Sequence, residues 1–365
     1  MGLHTDMKNK LEKGFGEKKE TEEVNMKSLI EKGILKLAEK PKDNPENLNF
    51  PVYTISLIEH DYPAKTPVMW NSVYRKFNIS AGNIMAIGDT KNIQQIFEVF
   101  KKDPKYLGGG VGVGFKDEVI EFLDEIDPIA KEIGAVNFMV KTPEGKLRGF
   151  NTDGVGYAVS LEEVFGKKDE RLENKKAVIL GSGGTGNAIA FMLADKGMRL
   201  VILNRTTKKA EALTDKINRY FNFDEDKKAR FGGEDLIERE VVDADAVINV
   251  STKGTSGDFE NYSALALAKI PVTEENIKEN IKESQRIFGK ISKKAIISDI
   301  VLRSGDTPFI NFAKSAGFEI LDGTPMVIYQ GVEAFWLLHR RDFEEKGIAK
   351  QEVLKTMKEA AGFVF

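Results

Sequence analysis

The order of apolar and polar positions from residue 50 onwards is typical of strands that alternate with helices. Short runs of β-branched and aliphatic residues predict buried strands at residues 52–58, 177–180, 200–203, 246–250 and 295–300. The last four runs lie at the spacing of βαβ units, in which a helix carries the chain between parallel strands. The pattern therefore predicts an α/β fold with a parallel, doubly wound sheet covered by helices.

Apolar periodicity also predicts several helices before that sheet. Helices are expected at residues 67–77, opened by a proline, and at 93–101 and 117–125. Residues 27–38 predict a short amphipathic helix within a Lys/Glu-rich extension that packs on the body of the protein. The glycine run 108–110 lacks the strand-to-helix setting of a phosphate loop and predicts a flexible hinge.

Composition excludes several classes of protein. The chain has 365 residues, 41% of them hydrophobic, and a net charge of -3, which is unlike the basic surface of a nucleic-acid-binding protein. No apolar run approaches the ~20 residues of a membrane span. The first residues lack the order of a signal peptide, so we expect a cytoplasmic protein whose partner is a small molecule.

The sequence also gives little support for a metal site or a reactive thiol. The chain has no cysteine, which excludes disulfides, thiolate metal sites and cysteine nucleophiles. Its histidines, His4, His60 and His339, show no metal-ligand spacing, and we expect no metal. His339 follows an apolar helical run and is expected to pack there, whereas His60 lies close enough to a candidate substrate turn for a pocket role to stay open.

A glycine-rich turn follows the predicted strand at 177–180. It places glycines in the order G-x-G-x-x-G ahead of a predicted helix: Gly181, Gly183, Gly184 and Gly186. In such a turn the first glycine permits the bend, the second lets a pyrophosphate approach the backbone, and the third allows close packing of helix on strand. The sequence therefore predicts a dinucleotide site at this turn.

The end of the next strand indicates which dinucleotide is bound. NAD-binding proteins carry an acidic residue there for the ribose 2′-hydroxyl. This chain instead has Asn204, Arg205 and Thr206, followed by Lys209. Since no carboxylate repels a phosphate and a guanidinium grips one with paired hydrogen bonds, NADP is the predicted cofactor.

Four segments together resemble the shikimate dehydrogenase family. Gly134-Ala-Val-Asn137 and Asn151-Thr-Asp-Gly154 are similar to its paired GAVN and NTDG motifs, which are the most specific part. Residues 110–116 are similar to its NVTxPxK loop, and the segment ending in Asn204-Arg-Thr206 is similar to its GxGG…NRT arrangement. Further residues fall in the family's order at Asn249, Asp299, Thr307, Met326 and Gln330. The resemblance covers residues 50–343.

The resemblance implies a two-domain α/β protein. We expect an extension over residues 1–47, an α/β substrate domain over 48–155, an NADP-binding Rossmann domain over 156–328, and C-terminal helices over 329–365 that return to the substrate domain. It also implies an NADP-dependent oxidoreductase of aromatic amino acid biosynthesis that interconverts a secondary alcohol and a ketone on a small cyclic hydroxy acid. A monomer or a homodimer is expected.

The resemblance further implies a catalytic pair, Lys116 and Asp153, with Asn137 and Gln330 holding the substrate. Alcohol oxidation needs a group that takes the hydroxyl proton, and a lysine tuned by burial and by a carboxylate partner can do so. The alternative interpretation is an ordinary surface salt bridge, because the chain has 54 Lys and Arg and 57 Asp and Glu residues.

The substrate loop departs from the family pattern. Where the family has two serines in an SxSP turn, this chain has Ala64-Lys-Thr-Pro67, which leaves Thr66 as the remaining hydroxyl. Glycines replace the Asn, Thr and Pro of NVTxPxK, and Leu302 replaces a tyrosine. Lys65 is a candidate compensating cation for a substrate carboxylate, with a solvent-facing loop lysine as the equal alternative.

These departures leave two hypotheses open. One is a dehydrogenase for which shikimate is a poor substrate, because each lost hydrogen bond to a charged substrate costs ~1.5–3 kcal/mol. The other is a cofactor-binding protein of the same family whose activity is lost or regulatory. Retention of Lys116 and Asp153 favours the first hypothesis, and the loss of polar side chains from the substrate loop favours the second.

Overall fold

The computed structural model describes residues 25–112, 114–225 and 229–362, so residues 1–24 of the predicted extension lie outside the described part. Before residue 151 these ranges form two small sheets that lie side by side. Their strands are β1 Leu35–Leu37, β2 Val52–Ile58, β3 Ala81–Gly88, β4 Gly108–Gly110, β5 Glu125–Ile126, β6 Phe138–Lys141 and β7 Leu147–Phe150. The orders are β1-β3-β2 and β4-β6-β7-β5. Isolated bridges from Tyr53 to Tyr106 and from Leu57 to Val111 join β2 to the β4 segment, and we call the whole the N-terminal sheet.

Helices pack on this sheet largely where the sequence predicts them. They are α1 Met26–Glu31, α2 Thr66–Lys76, α3 Ile93–Lys102 and α4 Pro128–Ile133. The predictions for α2 and α3 are confirmed. The helix predicted at 117–125 is wrong, because only a 3-10 turn forms at Glu118–Phe122 before β5 pairs with β7. Asp124 stabilises this extended backbone by accepting a hydrogen bond from the Leu147 N–H at 2.8 Å.

The helix predicted at residues 27–38 is only partly correct. α1 ends at Glu31, the backbone turns at Gly33 with φ +69°, and β1 then pairs antiparallel with β3. A left-handed residue ends a helix, and glycine adopts that conformation at little cost. Met26, Leu29 and Leu35 are buried in the core beneath the sheet. Residues 26–37 therefore belong to the N-terminal half of the fold: α1 packs in its core and β1 is a strand of its sheet.

The hinge predicted at the glycine run is wrong, because these residues form the buried strand β4. A Cβ on Gly109 would lie 1.9 Å from the Ile55 carbonyl oxygen, and one on Gly108 would lie 2.3 Å from that of Met139. Both residues also have positive φ, at +154° and +133°. Glycine is required here because the strand runs in close contact between β2 and β6, which is the opposite of a mobile hinge.

The second half of the described chain forms a fully parallel sheet. Its strands are β8 Lys176–Leu180, β9 Arg199–Leu203, β10 Arg230–Gly232, β11 Ala246–Asn249, β12 Ile296–Asp299 and β13 Glu319–Asp322. The order is β10-β9-β8-β11-β12-β13, and every pairing is parallel. The predicted strands at 177–180, 200–203, 246–250 and 295–300 are confirmed. This is the strand order of a doubly wound dinucleotide-binding fold.

Helices cover both faces of the parallel sheet. They are α5 Asp153–Gly166, α6 Gly184–Asp195, α7 Thr207–Phe221, α8 Ile237–Val241, α9 Glu274–Phe288, α10 Pro308–Ser315, α11 Thr324–Glu345 and α12 Lys350–Ala361. Successive residues of β8 enter different cores: Ile179 packs under α5, α6 and α7, and Val178 packs under α8, α9 and α10. The prediction of a doubly wound sheet covered by helices is therefore confirmed.

α5 and α11 join the two halves of the molecule. A Cβ on Gly154 would lie 2.2 Å from the Ala188 carbonyl oxygen of α6, and one on Gly156 would lie 2.6 Å from the Gln330 nitrogen of α11. Glycine therefore lets α5 pack backbone to backbone on both helices. α11 and α12 pack in turn on α2, through an aromatic cluster that includes Trp70, Phe335 and Phe343. Within the described ranges, none of the helices combines the length and apolarity that a membrane crossing needs.

Candidate active site

Lys116 and Asp153 meet between the N-terminal sheet and the parallel sheet. The Lys116 Nζ atom lies 2.5 Å from Asp153 Oδ2, and their side chains keep 26% and 11% of their surface exposed. Asp153 is the first residue of α5, where the helix dipole favours a carboxylate. The pair is thus largely withdrawn from solvent while it remains reachable from the cleft, unlike an ordinary surface salt bridge.

The two family motifs hold this pair in place. The Val136 N–H donates to the Lys116 carbonyl oxygen at 2.7 Å, which ties the lysine segment to the chain that enters β6. The Asn151 side chain accepts from the Asp153 N–H at 3.1 Å and donates to the Ala135 carbonyl oxygen at 3.0 Å. Residues on either side of the β6–β7 hairpin therefore set the position of both Lys116 and Asp153.

The amide of Asn137 supports Asp153 and the Thr152 backbone. Its nitrogen donates to Asp153 Oδ1 at 2.8 Å and to Thr152 Oγ1 at 3.1 Å, and its oxygen accepts from the Thr152 N–H at 2.8 Å. Both donor positions of the amide are therefore used within the protein. The single proton of the Thr152 hydroxyl has two acceptors within reach, Asn137 Oδ1 and Gln330 Oε1, each at 3.3 Å. Gln330 donates to the Val327 carbonyl oxygen at 3.1 Å, which leaves one of its amide protons for a ligand.

Lys116, Asp153, Asn137 and Gln330 line a cavity of about 580 Å³. The same cavity is lined by Thr185 of the glycine-rich turn, so a ligand beside Lys116 lies next to the dinucleotide segment. Much of the remaining wall is apolar, and it includes Ile58, Ala64, Trp70, Met85 and Leu302.

The altered turn before α2 contributes Lys65 and Thr66 to this cavity. Thr66 is the first residue of α2, and Lys65 is the preceding capping residue. The Lys65 Nζ atom lies 3.5 Å from the Ala361 carbonyl oxygen at the end of α12. Its ammonium therefore faces the C-terminal helix in this structure.

Tyr62 is a cavity residue that sequence reasoning missed. It lies in the loop between β2 and α2, on the wall that also carries Lys116. Burial raises the pKa of Tyr62, Lys116 lowers it and Asp153 raises it, so the phenol is electrostatically coupled to both. No motif marks this residue, because its position depends on the fold of the loop.

The two histidines in the described ranges occupy different environments. His339 packs among Trp70, Phe335 and Phe343, and its Nε2 atom lies 2.8 Å from the Tyr74 hydroxyl. Burial lowers the pKa of His339 to about 4, and the prediction of a packing residue is confirmed. His60 is exposed, with its Nε2 atom 3.7 Å from Glu59. Within the described ranges, no group of three or more His, Asp or Glu side chains is arranged to hold a metal.

The glycine-rich turn has the geometry that a dinucleotide requires. Gly181 has φ +120°, and a Cβ there would lie 2.9 Å from the Ser251 nitrogen, whereas one on Gly186 would lie 2.8 Å from Val250 Cγ2. Around Gly183 and Gly184 nothing lies within 4 Å of an added Cβ. Gly183 caps α6, and no side chain caps the first N–H groups of the helix. Helix starts of this kind bind phosphate groups, and we expect a pyrophosphate here.

The predicted 2′-phosphate residues lie beside this turn. The Gly181 N–H donates to the Leu203 carbonyl oxygen at 2.8 Å, which brings the turn next to the end of β9. Asn204 Nδ2 donates to the Thr206 carbonyl oxygen at 3.0 Å, and the Lys209 N–H donates to the same oxygen at 2.9 Å. Arg205 is exposed, with its guanidinium 5.8 Å from the Phe259 ring centre. The segment therefore carries exposed cations beside the glycine-rich turn, and their contact with a 2′-phosphate stays a prediction.

Asp299 braces the neighbouring strand ends. Its carboxylate accepts from Asn249 Nδ2 at 3.0 Å, from the Thr307 hydroxyl at 2.7 Å and from the Val301 N–H at 3.0 Å. Burial raises the pKa of Asp299 to about 6, against the lowering effect of these donors. The residue fixes the loops after β11 and β12, which lie at the edge of the sheet where dinucleotides bind.

Comparison with known proteins agrees with this geometry. The family model described as the shikimate dehydrogenase substrate binding domain matches residues 62–139, and that described as shikimate / quinate 5-dehydrogenase matches residues 163–231. The NADP(+) shikimate dehydrogenase of Methanocaldococcus jannaschii is 30% identical over 278 residues, which cover 76% of this chain and 86% of that protein. The corresponding protein of Methanococcus vannielii is 31% identical over 289 residues, covering 76% and 87%.

Solved structures show the same architecture. A crystal structure of shikimate dehydrogenase in complex with NADP+ has a TM-score of 0.68 and 25% identity, and covers 88% of this chain and 98% of that chain. The 5-ketofructose reductase of Gluconobacter has a TM-score of 0.63 and 24% identity, over 86% and 99% of the chains, and shares the fold. With both family models matched and relatives at 30% identity or above along three quarters of its length, the chain belongs to the shikimate dehydrogenase family.

Proposed function

We propose that this protein is an NADP-dependent oxidoreductase that interconverts a secondary alcohol and a ketone on a small cyclic hydroxy acid, with Lys116 and Asp153 at the reaction centre. The observation that carries the proposal is one cavity lined both by this pair and by Thr185 of the glycine-rich turn. A proton-transferring group and a dinucleotide placed at that turn would therefore face the same ligand.

The cofactor, when bound, accepts or donates the hydride. Lys116 is the group that takes the hydroxyl proton during oxidation and returns it during ketone reduction. Asp153, 2.5 Å away, balances the lysine charge and orients its Nζ atom. Asn137 is a positioning residue, because its amide holds Asp153 and the backbone of Thr152.

NADP is favoured over NAD by the residues that follow β9. Asn204 occupies the position where an acidic residue would bind an unphosphorylated ribose. Arg205 is exposed beside the glycine-rich turn, and Lys209 lies on the first turn of α7. A 2′-phosphate would meet cations there and no carboxylate of this segment.

Shikimate, on which the named relatives act, is proposed to be a poor substrate here. Ala64 lacks the hydroxyl of the family's first serine, and Gly110 and Gly112 lack the amide and hydroxyl of its lysine-bearing loop. Thr66 lines the cavity, while the Lys65 ammonium lies near the end of α12. Two or three missing hydrogen bonds to a charged ligand weaken binding by a factor on the order of 10³ or more.

We further propose a cytoplasmic protein that works as a monomer or a homodimer. The second candidate function, a cofactor-binding protein with lost or regulatory activity, is favoured by the glycines and alanine that replace polar residues in the substrate loop. A protein of that kind would bind NADP and still fail to turn over any ketone or alcohol offered to it.

The Lys116→Ala variant tests the proposed chemistry. Turnover should fall by a factor on the order of 10²–10⁴, which is the range for removal of a general acid–base, while NADP affinity stays unchanged. The measurement is NADPH absorbance with the keto forms of shikimate and quinate and related cyclic keto acids. Lys131→Ala, an exposed lysine on α4, is the matched control and should behave like the unmodified protein.

The paired variant distinguishes a working unit from two separate contacts. Lys116→Ala combined with Asp153→Ala should be little worse than Lys116→Ala alone, since groups that act together are not additive. Turnover that survives Lys116→Ala, or losses that add fully, would remove the pair from the mechanism. An unmodified protein that binds NADPH and reduces no ketone in the panel supports the second candidate function.

A further inference from the structure

Three buried apolar side chains from β2, β3 and the altered turn line one part of the cavity. Ile58, Ala64 and Met85 line the cavity and form one buried cluster with Ala38. Their side chains belong to the end of β2, the turn before α2 and the middle of β3. We call these three cavity-lining residues the apolar wall.

The glycines of the lysine-bearing segment do not leave empty space. A Cβ on Gly112 would lie 2.7 Å from Ile58 Cγ2, so the isoleucine occupies the room that a side chain at 112 would take. A Cβ on Gly110 would lie 3.0 Å from Ser56 Oγ, and that hydroxyl is 3.4 Å from Asn83 Nδ2. Beside Gly112 the place of a polar side chain is therefore taken by an aliphatic side chain of β2, whereas beside Gly110 it is taken by the Ser56 hydroxyl.

Polar side chains line other parts of the cavity. Both donor positions of the Asn137 amide are used by Thr152 and Asp153, and Gln330 keeps one amide proton. Lys116, Tyr62, Thr66 and Ser56 add donors on the same lining. A ligand is thus offered hydrogen bonds by these side chains and aliphatic contact at the apolar wall.

We propose that the substrate is a cyclic hydroxy or keto acid whose ring presents apolar carbons, and not hydroxyl groups, to the apolar wall. The inference rests on the proposed function for its reacting alcohol, and it adds the chemistry of the remainder of the molecule. Each ring hydroxyl buried against the wall without a partner weakens binding by roughly tenfold or more. Each methylene placed there strengthens binding roughly fourfold.

Two alcohols with the same carboxylate and ring size provide the test. Shikimate and 3-hydroxycyclohexane-1-carboxylate are titrated by calorimetry into the full chain saturated with NADPH. Both ligand and cofactor are then reduced, so no reaction occurs and only affinity is measured. The cyclohexane acid, which lacks the additional ring hydroxyls, should bind at least tenfold more tightly.

Variants of the apolar wall make the test specific. Ile58→Thr places a hydroxyl in the wall and should shift the affinity ratio about tenfold towards shikimate. Ile87→Thr makes the same change in β3 at a residue that packs on the cluster and is not part of the cavity lining, and it should leave the ratio unchanged. Ala64→Ser, which restores a hydroxyl with one added atom, is the second variant if Ile58→Thr does not fold.

The outcomes separate this inference from the proposed function. Equal or tighter binding of shikimate, binding of neither alcohol, or the same ratio in Ile58→Thr and Ile87→Thr overturns the inference. A separate assay with NADP and each alcohol measures turnover. If neither alcohol is oxidised while the affinity ratio changes as expected, the proposed reaction is wrong. The inference that the wall binds apolar ring carbons is then still supported.

Discussion

Asn137 and Arg205 show how a residue's role depends on what its atoms contact. Asn137 lies in the cavity where the family resemblance places a substrate ligand, but Thr152 and Asp153 accept both of its amide protons. Arg205 is exposed, and its guanidinium lies 5.8 Å from the centre of the Phe259 ring. The amide protons of the first residue are already used, and the second residue is exposed to a ligand in solution.

Arg205→Ala should weaken NADP binding on the order of 10- to 100-fold and leave NAD binding almost unchanged, because only NADP carries the 2′-phosphate. Calorimetric titration of both cofactors measures the two affinities. Arg199→Ala is the matched control, since it removes an exposed arginine at the opposite end of β9. Equal weakening of NAD and NADP would place the 2′-phosphate elsewhere.

His339 should make the folded protein sensitive to acid. Its pKa is lowered from 6.5 to about 4, so between those pH values the unfolded chain binds more protons than the folded one. Stability therefore rises with pH across this window, and up to ~3 kcal/mol is lost as pH falls from 6.5 to 4. Urea denaturation at several pH values should show a shallower dependence in His339→Gln than in the exposed control His60→Gln. Parallel curves would mean that His339 takes up its proton in the folded state.

At the scale of elements, the segment before residue 48 is tied to the substrate loop. The Asp61 carboxylate accepts from the backbone N–H groups of Glu39 at 3.0 Å and Lys40 at 3.2 Å. The Met26 N–H donates to Asp103 Oδ2 at 2.9 Å. The loop that carries Tyr62 is thus hydrogen-bonded to the residues that follow β1.

A chain that begins at residue 48 should be less stable than one that begins at residue 25. The shorter chain loses the buried side chains of Met26, Leu29 and Leu35, each worth ~1.5–3 kcal/mol. Urea denaturation should show a difference of at least ~3 kcal/mol in the free energy of unfolding. Comparison of these two truncations isolates residues 25–47, and coincident denaturation midpoints would contradict their role in the core.

At the scale of the whole molecule, α5 and α11 make the two sheets depend on one another. α5 carries Asp153 at its start and packs on α6 behind the glycine-rich turn. α11 packs on α5 along one side and on α2 and α12 along another. Since α11 contributes side chains to both cores and α5 packs on α11, we expect both halves to unfold together.

Tryptophan fluorescence can test this expectation. Both tryptophans, Trp70 in α2 and Trp336 in α11, lie in the aromatic cluster on the side of the N-terminal sheet. NADP at a hundred times its Kd should raise the melting temperature seen by these probes by about 4 °C, although the cofactor binds at the parallel sheet. The Arg205→Ala variant should show a smaller shift at the same concentration. An unchanged tryptophan melt beside a shifted circular dichroism melt would show independent unfolding.

Local pattern was enough to predict the parallel sheet and the glycine-rich turn, and it is also the basis for proposing NADP as the cofactor. Strand periodicity, a turn that needs glycine and the absence of an acid at residue 204 are properties of a few neighbouring residues. The pairing of Lys116 with Asp153 was implied by the family resemblance, whose most specific part is the paired GAVN and NTDG motifs.

Tertiary structure alone decided the features that depend on residues distant in the chain. Leu35 and Leu37 form a strand because β3 offers a free edge, and the glycines of β4 are required because β2 and β6 approach it from both sides. The contacts of the Asn137 amide, the place of Tyr62 and the apolar wall likewise arise where separate elements meet. A sequence pattern records what each segment prefers, whereas a cavity is shaped by side chains that only the packed fold brings together.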